Sequence, residues 1–207
     1  MTTLAAKIAQ HLLAIKAVEL RPEVENYFTW TSGIRSPIYC DNRLTMSYPN
    51  IRKDVALGMV ELIKQHFPDV EVIAGTATAG IPHAAWVSEL LNLPMVYVRD
   101  AKKKHGKTNQ IEGKITPQQK VIVIEDLIST GVSSLGAVQA LKQDGAQVLG
   151  VVAIFTYGLD KANNAFTQAK CPLYTLTSYD ALINQAQTLG YVKPEQVASL
   201  KAWRDSL

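Results

Sequence analysis

The stretch Lys120-Val-Ile-Val-Ile-Glu-Asp-Leu-Ile-Ser-Thr-Gly-Val-Ser-Ser134 decides the fold. Its four consecutive β-branched residues, Val121 to Ile124, show no polar alternation, which predicts a central strand buried on both faces. Glu125 and Asp126 come next. Two adjacent carboxylates have no place inside such a strand, so they are expected to mark its carboxyl end. Ser129, Thr130, Gly131, Ser133 and Ser134 then supply hydroxyls, backbone N–H groups and one permissive φ, and Leu135, Val138 and Leu141 follow at helical spacing. Strand, acid pair, hydroxyl-glycine turn and helix together predict an anion site. The unpaired N–H groups and positive dipole end of the helix would face a phosphate. In open α/β sheets, ligands bind beyond the carboxyl ends of the strands. A plainer reading makes Ser133 or Ser134 a helix cap; the buried strand and acid pair ahead of the turn favour the ligand site.

Working outward, strand and helix patterns alternate from residue 70 to 177, the signature of a parallel sheet flanked by helices. Strands are expected at 70–74, 95–99, 148–155 and 172–177. Helices are expected at 2–20 (capped by Thr2 or Thr3), 49–67, 81–91, 133–143, 160–170, 179–189 and 194–203. His11 falls within the first helix and is read as structural. Gly75-Thr-Ala-Thr-Ala-Gly80 is a second small-residue turn between strand and helix, again permitting close approach to a phosphate. Residues 27–43 read as a β-ribbon around Ser32-Gly33-Ile34-Arg35-Ser36-Pro37, placed as a small cap. After Arg99, the run Lys102, Lys103, Lys104, His105 and Lys107 has no apolar periodicity. It reads either as a solvated loop or as a lid closing over a polyanion.

The bulk numbers fit one domain with a sizeable core: 207 residues, 47% hydrophobic and 19% charged. A net charge of +3 suits anionic ligands but is too mild to argue for nucleic acid, and no nucleic-acid motif is present. Cys40 and Cys171 stand alone without metal-ligand spacing, which fits a reducing cytoplasm. No signal peptide and no membrane span are expected.

The run from Val121 to Ser133 resembles the phosphoribosyl-pyrophosphate (PRPP) signature of the type I phosphoribosyltransferases: apolar strand, two acids, short gap, Thr-Gly, one residue, then Ser or Thr. Phe28-Thr-Trp-Thr-Ser-Gly-Ile-Arg-Ser-Pro37, followed by Tyr39 and Asp41-Asn-Arg43, resembles the amino-terminal segment of orotate phosphoribosyltransferases. The resemblance implies the type I fold: a central, mostly parallel sheet flanked by helices. A single domain would span 1–207, with a small hood from about 1–45 plus carboxyl-terminal elements and a core over about 46–180. It implies transfer of phosphoribosyl from PRPP to orotate, giving orotidine 5′-monophosphate and pyrophosphate in pyrimidine (UMP) synthesis. Transfer to another base, or a non-catalytic nucleotide sensor on the same fold, are the alternatives.

By the same resemblance, Arg99, Lys103, His105, Glu125, Asp126, Leu127, Ile128, Ser129, Thr130, Gly131, Val132 and Ser133 would bind PRPP. Lys103, His105 and Asp126 would be the catalytic residues, and Thr76, Ala77, Thr78, Ala79 and Gly80 the pyrophosphate loop. Orotate would meet Ser129, with Phe28, Arg35 and Arg43 as further candidates. The last two are offered because no arginine lies between Arg99 and Arg204 to meet its carboxylate. Mg²⁺ carried on PRPP would be the cofactor. A homodimer is implied, with the 99–113 loop reaching across the interface.

Overall fold

The computed structural model describes residues 3–30, 33–100 and 110–207. In chain order these form α1 (Leu4–Ala14), β1 (Val18–Leu20), β2 (Phe28–Thr29), β3 (Arg35–Ser36), β4 (Ile38–Cys40), α2 (Pro49–His66), β5 (Val72–Thr76), α3 (Gly80–Leu91), β6 (Met95–Val98) and β7 (Ile111–Glu112). Then come β8 (Lys120–Ile128), α4 (Val132–Gln143), β9 (Gln147–Thr156), α5 (Asp160–Gln168), β10 (Leu173–Ser178), α6 (Tyr179–Thr188) and α7 (Pro194–Asp205).

Among the described residues, the main sheet has the order β10-β9-β8-β5-β6-β7. All neighbours are parallel except β6 and β7. The sheet divides two apolar clusters. Ile122 and Ile124 of β8 point into one, with Ile8, Leu12, Met59, Ile63 and Leu182 from the helices on that side. Val121 and Val123 point into the other, with Val138 and Leu141 of α4 and Phe166 of α5. Pleating sends successive side chains to opposite faces, so an unbroken apolar run is what a strand covered on both sides requires. Each such fully buried side chain contributes on the order of 1.5–3 kcal/mol.

Three expectations are corrected. The acid pair does not end its strand: β8 continues to Ile128, with Leu127 and Ile128 in register with Phe155 and Thr156. The long partner β9 keeps the ladder going, and the buried Glu125 is tolerated because it is hydrogen-bonded. The first helix stops at Ala14 and not at residue 20. Lys16 takes a left-handed conformation (φ 56°), and Val18–Leu20 turns into a strand paired with β4. A left-handed lysine carries no glycine signal, and Leu20 matched helical spacing by chance. The 70–74 strand lies two residues later, at Val72–Thr76, where its register with β8 begins at Val72 opposite Val121. β7, only two residues long, was not foreseen. Thr3 is the expected cap, its hydroxyl accepting from Ala6 N–H at 3.2 Å. His11 is structural as read, with Nε2 2.9 Å from Asp54 Oδ2.

The predicted ribbon is present as the antiparallel pair β2–β3, with Phe28 opposite Ser36 and Thr29 opposite Arg35. With the β1–β4 pair it forms a small hood beside the carboxyl ends of β8 and β9. Asn42, just after β4, joins hood to sheet: its Nδ2 donates to the Asp126 carbonyl at 2.7 Å.

Candidate active site

β8 hands over to α4 through Ser129–Gly131, and two of the local glycines are dictated by space. Gly131 sits at φ 79°, and a Cβ there would lie 2.8 Å from the Phe166 ring. Gly80, opening α3, approaches β8 so closely that a Cβ would be 2.5 Å from the Ile124 carbonyl oxygen. The two turns therefore lie side by side. Between them and the end of β6 is a cavity of about 540 Å³. Its floor is Leu127, Ser129, Thr130, Gly131, Val132 and Ser133, and its far wall includes Thr76, Arg99 and Gln110.

The cavity is built for oxygen-rich anions. Hydroxyls and the first N–H groups of α4 line one side, where a helix N-terminus favours negative charge. The Thr76 hydroxyl is buried without a hydrogen-bond partner among the described residues, a group that a ligand oxygen would satisfy. Arg99 Nη1 lies 3.5 Å from Glu112 Oε1, an ion-pair distance without a hydrogen bond. The neck of the basic segment is clasped: Arg99 N–H donates to the Gln110 carbonyl at 2.9 Å, and Gln110 Nε2 donates back to the Arg99 carbonyl at 2.7 Å. Lys103, His105 and the rest of 101–109 lie outside the described residues. Of the small-residue turn, Thr76 lines the cavity; the Ala77–Thr78 peptide is cis, and Ala79 and Gly80 lead directly into α3.

The two acids behave differently. Glu125 is 6% exposed; its Oε2 accepts from Ser134 Oγ at 3.0 Å and its Oε1 from Asp126 N–H at 3.2 Å. Burial first, and then the charge of Asp126, push its carboxyl up to about 8. Burial also raises Asp126, which is the more accessible of the two. Burial thus favours the protonated form of both acids, most strongly at the more deeply buried Glu125. Ser134 is thus no helix cap; its hydroxyl fastens α4 to β8. Ser133 makes no side-chain capping bond either.

A second cavity, of about 450 Å³, adjoins the first. It is lined by Thr29, Trp30, Tyr39 and Cys40 of the hood and by Leu127, Ser129 and Tyr157 of the core. Leu127 and Ser129 belong to both cavities. The lining is aromatic and flat-walled, suited to a planar ring. Tyr157 packs on Trp30 with ring centroids 5.4 Å apart.

Of the residues expected at the base, Ser129 lines this cavity and the other three do not. Phe28 stands behind Tyr39, centroids 5.6 Å apart, with the Arg21 guanidinium 3.9 Å over its ring. Arg35 donates to the Val24 carbonyl. Arg43 closes on Asp41 in a two-pronged pair at 2.7 and 2.8 Å. Both arginines are satisfied locally by neighbours a sequence pattern does not reveal. Trp30, Cys40, Tyr157 and Asn42 were not singled out, and Ser134 was read as a turn hydroxyl or helix cap, not as the partner of Glu125. Only Tyr39 carried a signal, as the aromatic after Pro37.

Comparison with known proteins agrees with this geometry. The model of the phosphoribosyl transferase domain matches residues 48–177. The chain is similar to the orotate phosphoribosyltransferase of Fusobacterium nucleatum, 58% identical over 201 residues, covering 97% of this chain and 95% of that protein. It is similar as well to that of Listeria innocua, 59% identical, covering 96% and 94%. Among solved structures, the orotate phosphoribosyltransferase of Aeropyrum pernix superposes with a TM-score of 0.76 at 25% identity, covering 89% of this chain and 99% of that one. Similarity of that degree, along nearly the full length of both partners, is that of members of one family: this chain belongs to the orotate phosphoribosyltransferases.

Proposed function

We propose that this chain transfers the phosphoribosyl group of PRPP to orotate, releasing pyrophosphate and orotidine 5′-monophosphate, a pentosyl transfer in pyrimidine synthesis. One observation carries the reading: a hydroxyl- and N–H-lined anion cavity and an aromatic-walled cavity meet at Leu127 and Ser129; Asp126 precedes Leu127 on β8 but lines neither cavity. A phosphorylated sugar in the first would present its anomeric carbon to a planar ring in the second.

The chemistry follows from this placement. Breaking the anomeric bond builds positive charge on the ribose and negative charge on the departing pyrophosphate, and the protein must favour that separation. Ser129 to Ser133 would hold the 5′-phosphate through N–H and hydroxyl groups. Arg99, Thr76 and the 77–80 turn would hold the pyrophosphate, joined by Lys103 and His105. Asp126, the more accessible of the two acids, would accept from the ribose hydroxyls, and its charge would offset the ring cation; Glu125 stays buried behind it, bonded to Ser134. Orotate is already anionic, so no protein nucleophile and no covalent intermediate are invoked; positioning and electrostatics do the work.

Magnesium fits as an ion brought by the substrate. Among the described residues there is no cluster of three or more His, Cys, Asp or Glu side chains that could hold a metal. Asp126 beside the hydroxyl-lined turn matches the way Mg²⁺ is usually held, by one or two carboxylates plus substrate oxygens. When bound, the ion would neutralise pyrophosphate charge. The same reading includes a homodimer, with the 99–113 segment serving the neighbouring site, and a cytoplasmic enzyme. Two free thiols support the latter, and no described helix is long and apolar enough to cross a membrane.

The test is direct: incubate the protein with PRPP, Mg²⁺ and one base at a time and follow base absorbance. Consumption of orotate alone is expected. Consumption of uracil or a purine with orotate untouched overturns the base assignment, and PRPP binding without turnover of any base favours the sensor.

A further inference from the structure

α7 makes two hydrogen bonds to the hood. Trp203 Nε1 donates to the Arg35 carbonyl at 3.0 Å. Gln196 Nε2 donates to Glu23 Oε1 at 2.9 Å. On its other side α7 is fixed to the core: Tyr179 Oη donates to the Leu200 carbonyl at 2.9 Å, and the Arg204 guanidinium pairs with Asp180 at 3.2 Å. The helix thus bridges hood and core next to the aromatic cavity.

The bridge ends on residues that shape this cavity. Arg35, whose carbonyl Trp203 holds, is the register partner of Thr29. Trp203 also meets Trp30 edge-on, centroids 5.8 Å apart and planes at 90°. Thr29 and Trp30 line the cavity; Trp203 does not. Trp30 is anchored on its other side by Nε1 donating to the Ile38 carbonyl at 3.0 Å, which steadies the strand carrying Tyr39 and Cys40. Trp203 is therefore the packing neighbour that sets both the plane of Trp30 and the position of the β2–β3 pair. The anion cavity receives nothing from α7.

We propose that α7 is a clamp on the base cavity and that Trp203 is a positioning residue for the planar base, a reading that rests on orotate being the ring bound there. The clamp acts on one substrate and not the other, because the PRPP side is held by β8, α3 and α4 without it. A helix that only covered apolar surface would affect both substrates through stability alone.

The experiment compares Trp203→Phe, which keeps a ring against Trp30 but removes the N–H donor, with Tyr179→Phe, which cuts the α6–α7 bond and leaves the hood ties in place. Steady-state constants for orotate and PRPP and the Tm are measured for both and for the wild type. Losing one such hydrogen bond predicts an orotate KM about three- to tenfold higher in Trp203→Phe, with PRPP KM and kcat within about twofold. Tyr179→Phe is expected to lower Tm and leave the orotate KM alone, because its ring stays in place and the Arg204–Asp180 pair still holds α7 to the core. Gln196→Glu, which keeps the oxygen that caps Lys193 N–H but sets a carboxylate against Glu23, is expected to raise the orotate KM about twofold. An unchanged orotate KM in both Trp203→Phe and Gln196→Glu overturns the clamp, as does a parallel rise in both substrates' KM or an equal rise in Tyr179→Phe. A wild type that turns over no orotate overturns the base assignment and the clamp with it, whereas normal orotate turnover with unaltered variants overturns the clamp alone.

Discussion

The two cavities that meet at Ser129 are built in opposite ways. The anion cavity comes largely from one unbroken run, β8 through the start of α4, with a neighbouring turn pressed against it by Gly80. The base cavity is assembled from four separate places: β2 with Trp30, β4, the end of β8 and the end of β9. The first is a local device of backbone and hydroxyls whose shape is set by strand and helix geometry. The second exists only when hood and sheet are docked together. Phosphate recognition should therefore tolerate changes in the hood, while base recognition should respond to residues that never touch the base.

The largest effect should come from removing the charge that precedes the junction residue Leu127 on β8. Asp126→Asn is expected to lower kcat/KM by roughly 10²–10⁴-fold, the scale of losing a charge aimed at the transition state. Its Tm should be unchanged or higher, because the neutral amide escapes the burial that raises the Asp126 carboxyl. A near-normal rate would break the assignment of Asp126 to the ribose. Next is Gly80→Ala. Its Cβ would press on the Ile124 carbonyl, which cannot yield without moving β8. A cost of about 1–3 kcal/mol is expected, read as a lower Tm, together with a PRPP KM that rises more than the orotate KM. The reverse order would mean that the turn does not belong to the anion cavity.

Glu125 tests the same acid pair through pH. Its carboxyl rises from an ordinary 4.5 to about 8 in the folded chain. Across that window the unfolded chain gives up the proton that the folded chain keeps, so stability falls as pH rises from about 4.5 to about 8. Glu125→Gln cannot ionise and keeps an acceptor for Ser134. It should match the wild type near pH 4 and exceed it toward pH 8 by on the order of 1–2 kcal/mol. Thermal melts across pH check this; a gap that does not widen with pH would mean Glu125 is ionised in the fold. The smallest effect should be Arg43→Ala. This exposed pair with Asp41 contributes under about 1 kcal/mol, and the orotate KM should not move, because Asp41 already occupies the guanidinium. A large rise in that KM would restore Arg43 as the orotate cation.

The same contrast explains what could be read from the chain alone. The parallel sheet, its flanking helices and the hydroxyl-glycine turn were legible because each rests on residues adjacent in sequence: four apolar residues in a row, two acids, a Thr-Gly. The acid pair was misplaced as a strand end because the length of β9, which carries the ladder on to Ile128, is a property of the partner. The end of α1 was missed because Lys16 gives no sign of its left-handed turn. The base cavity was legible only through a family pattern. Trp30, Cys40 and Tyr157 are brought together by docking, and neither their spacing nor their types announce it. Arg35 and Arg43 were attractive as the cations within the 27–43 segment, yet each is satisfied within its own neighbourhood. Asn42 and Ser134 act through single long-range hydrogen bonds that no local pattern encodes.

The most direct measurement of the two-cavity account is a crystal structure with orotidine 5′-monophosphate bound. The phosphate is predicted to rest on Ser129 to Ser133, the ribose hydroxyls to face Asp126, and the ring to lie among Trp30, Tyr39 and Tyr157. A nucleotide whose phosphate sits on Ser129 to Ser133 but whose ring lies away from these aromatics would contradict the account.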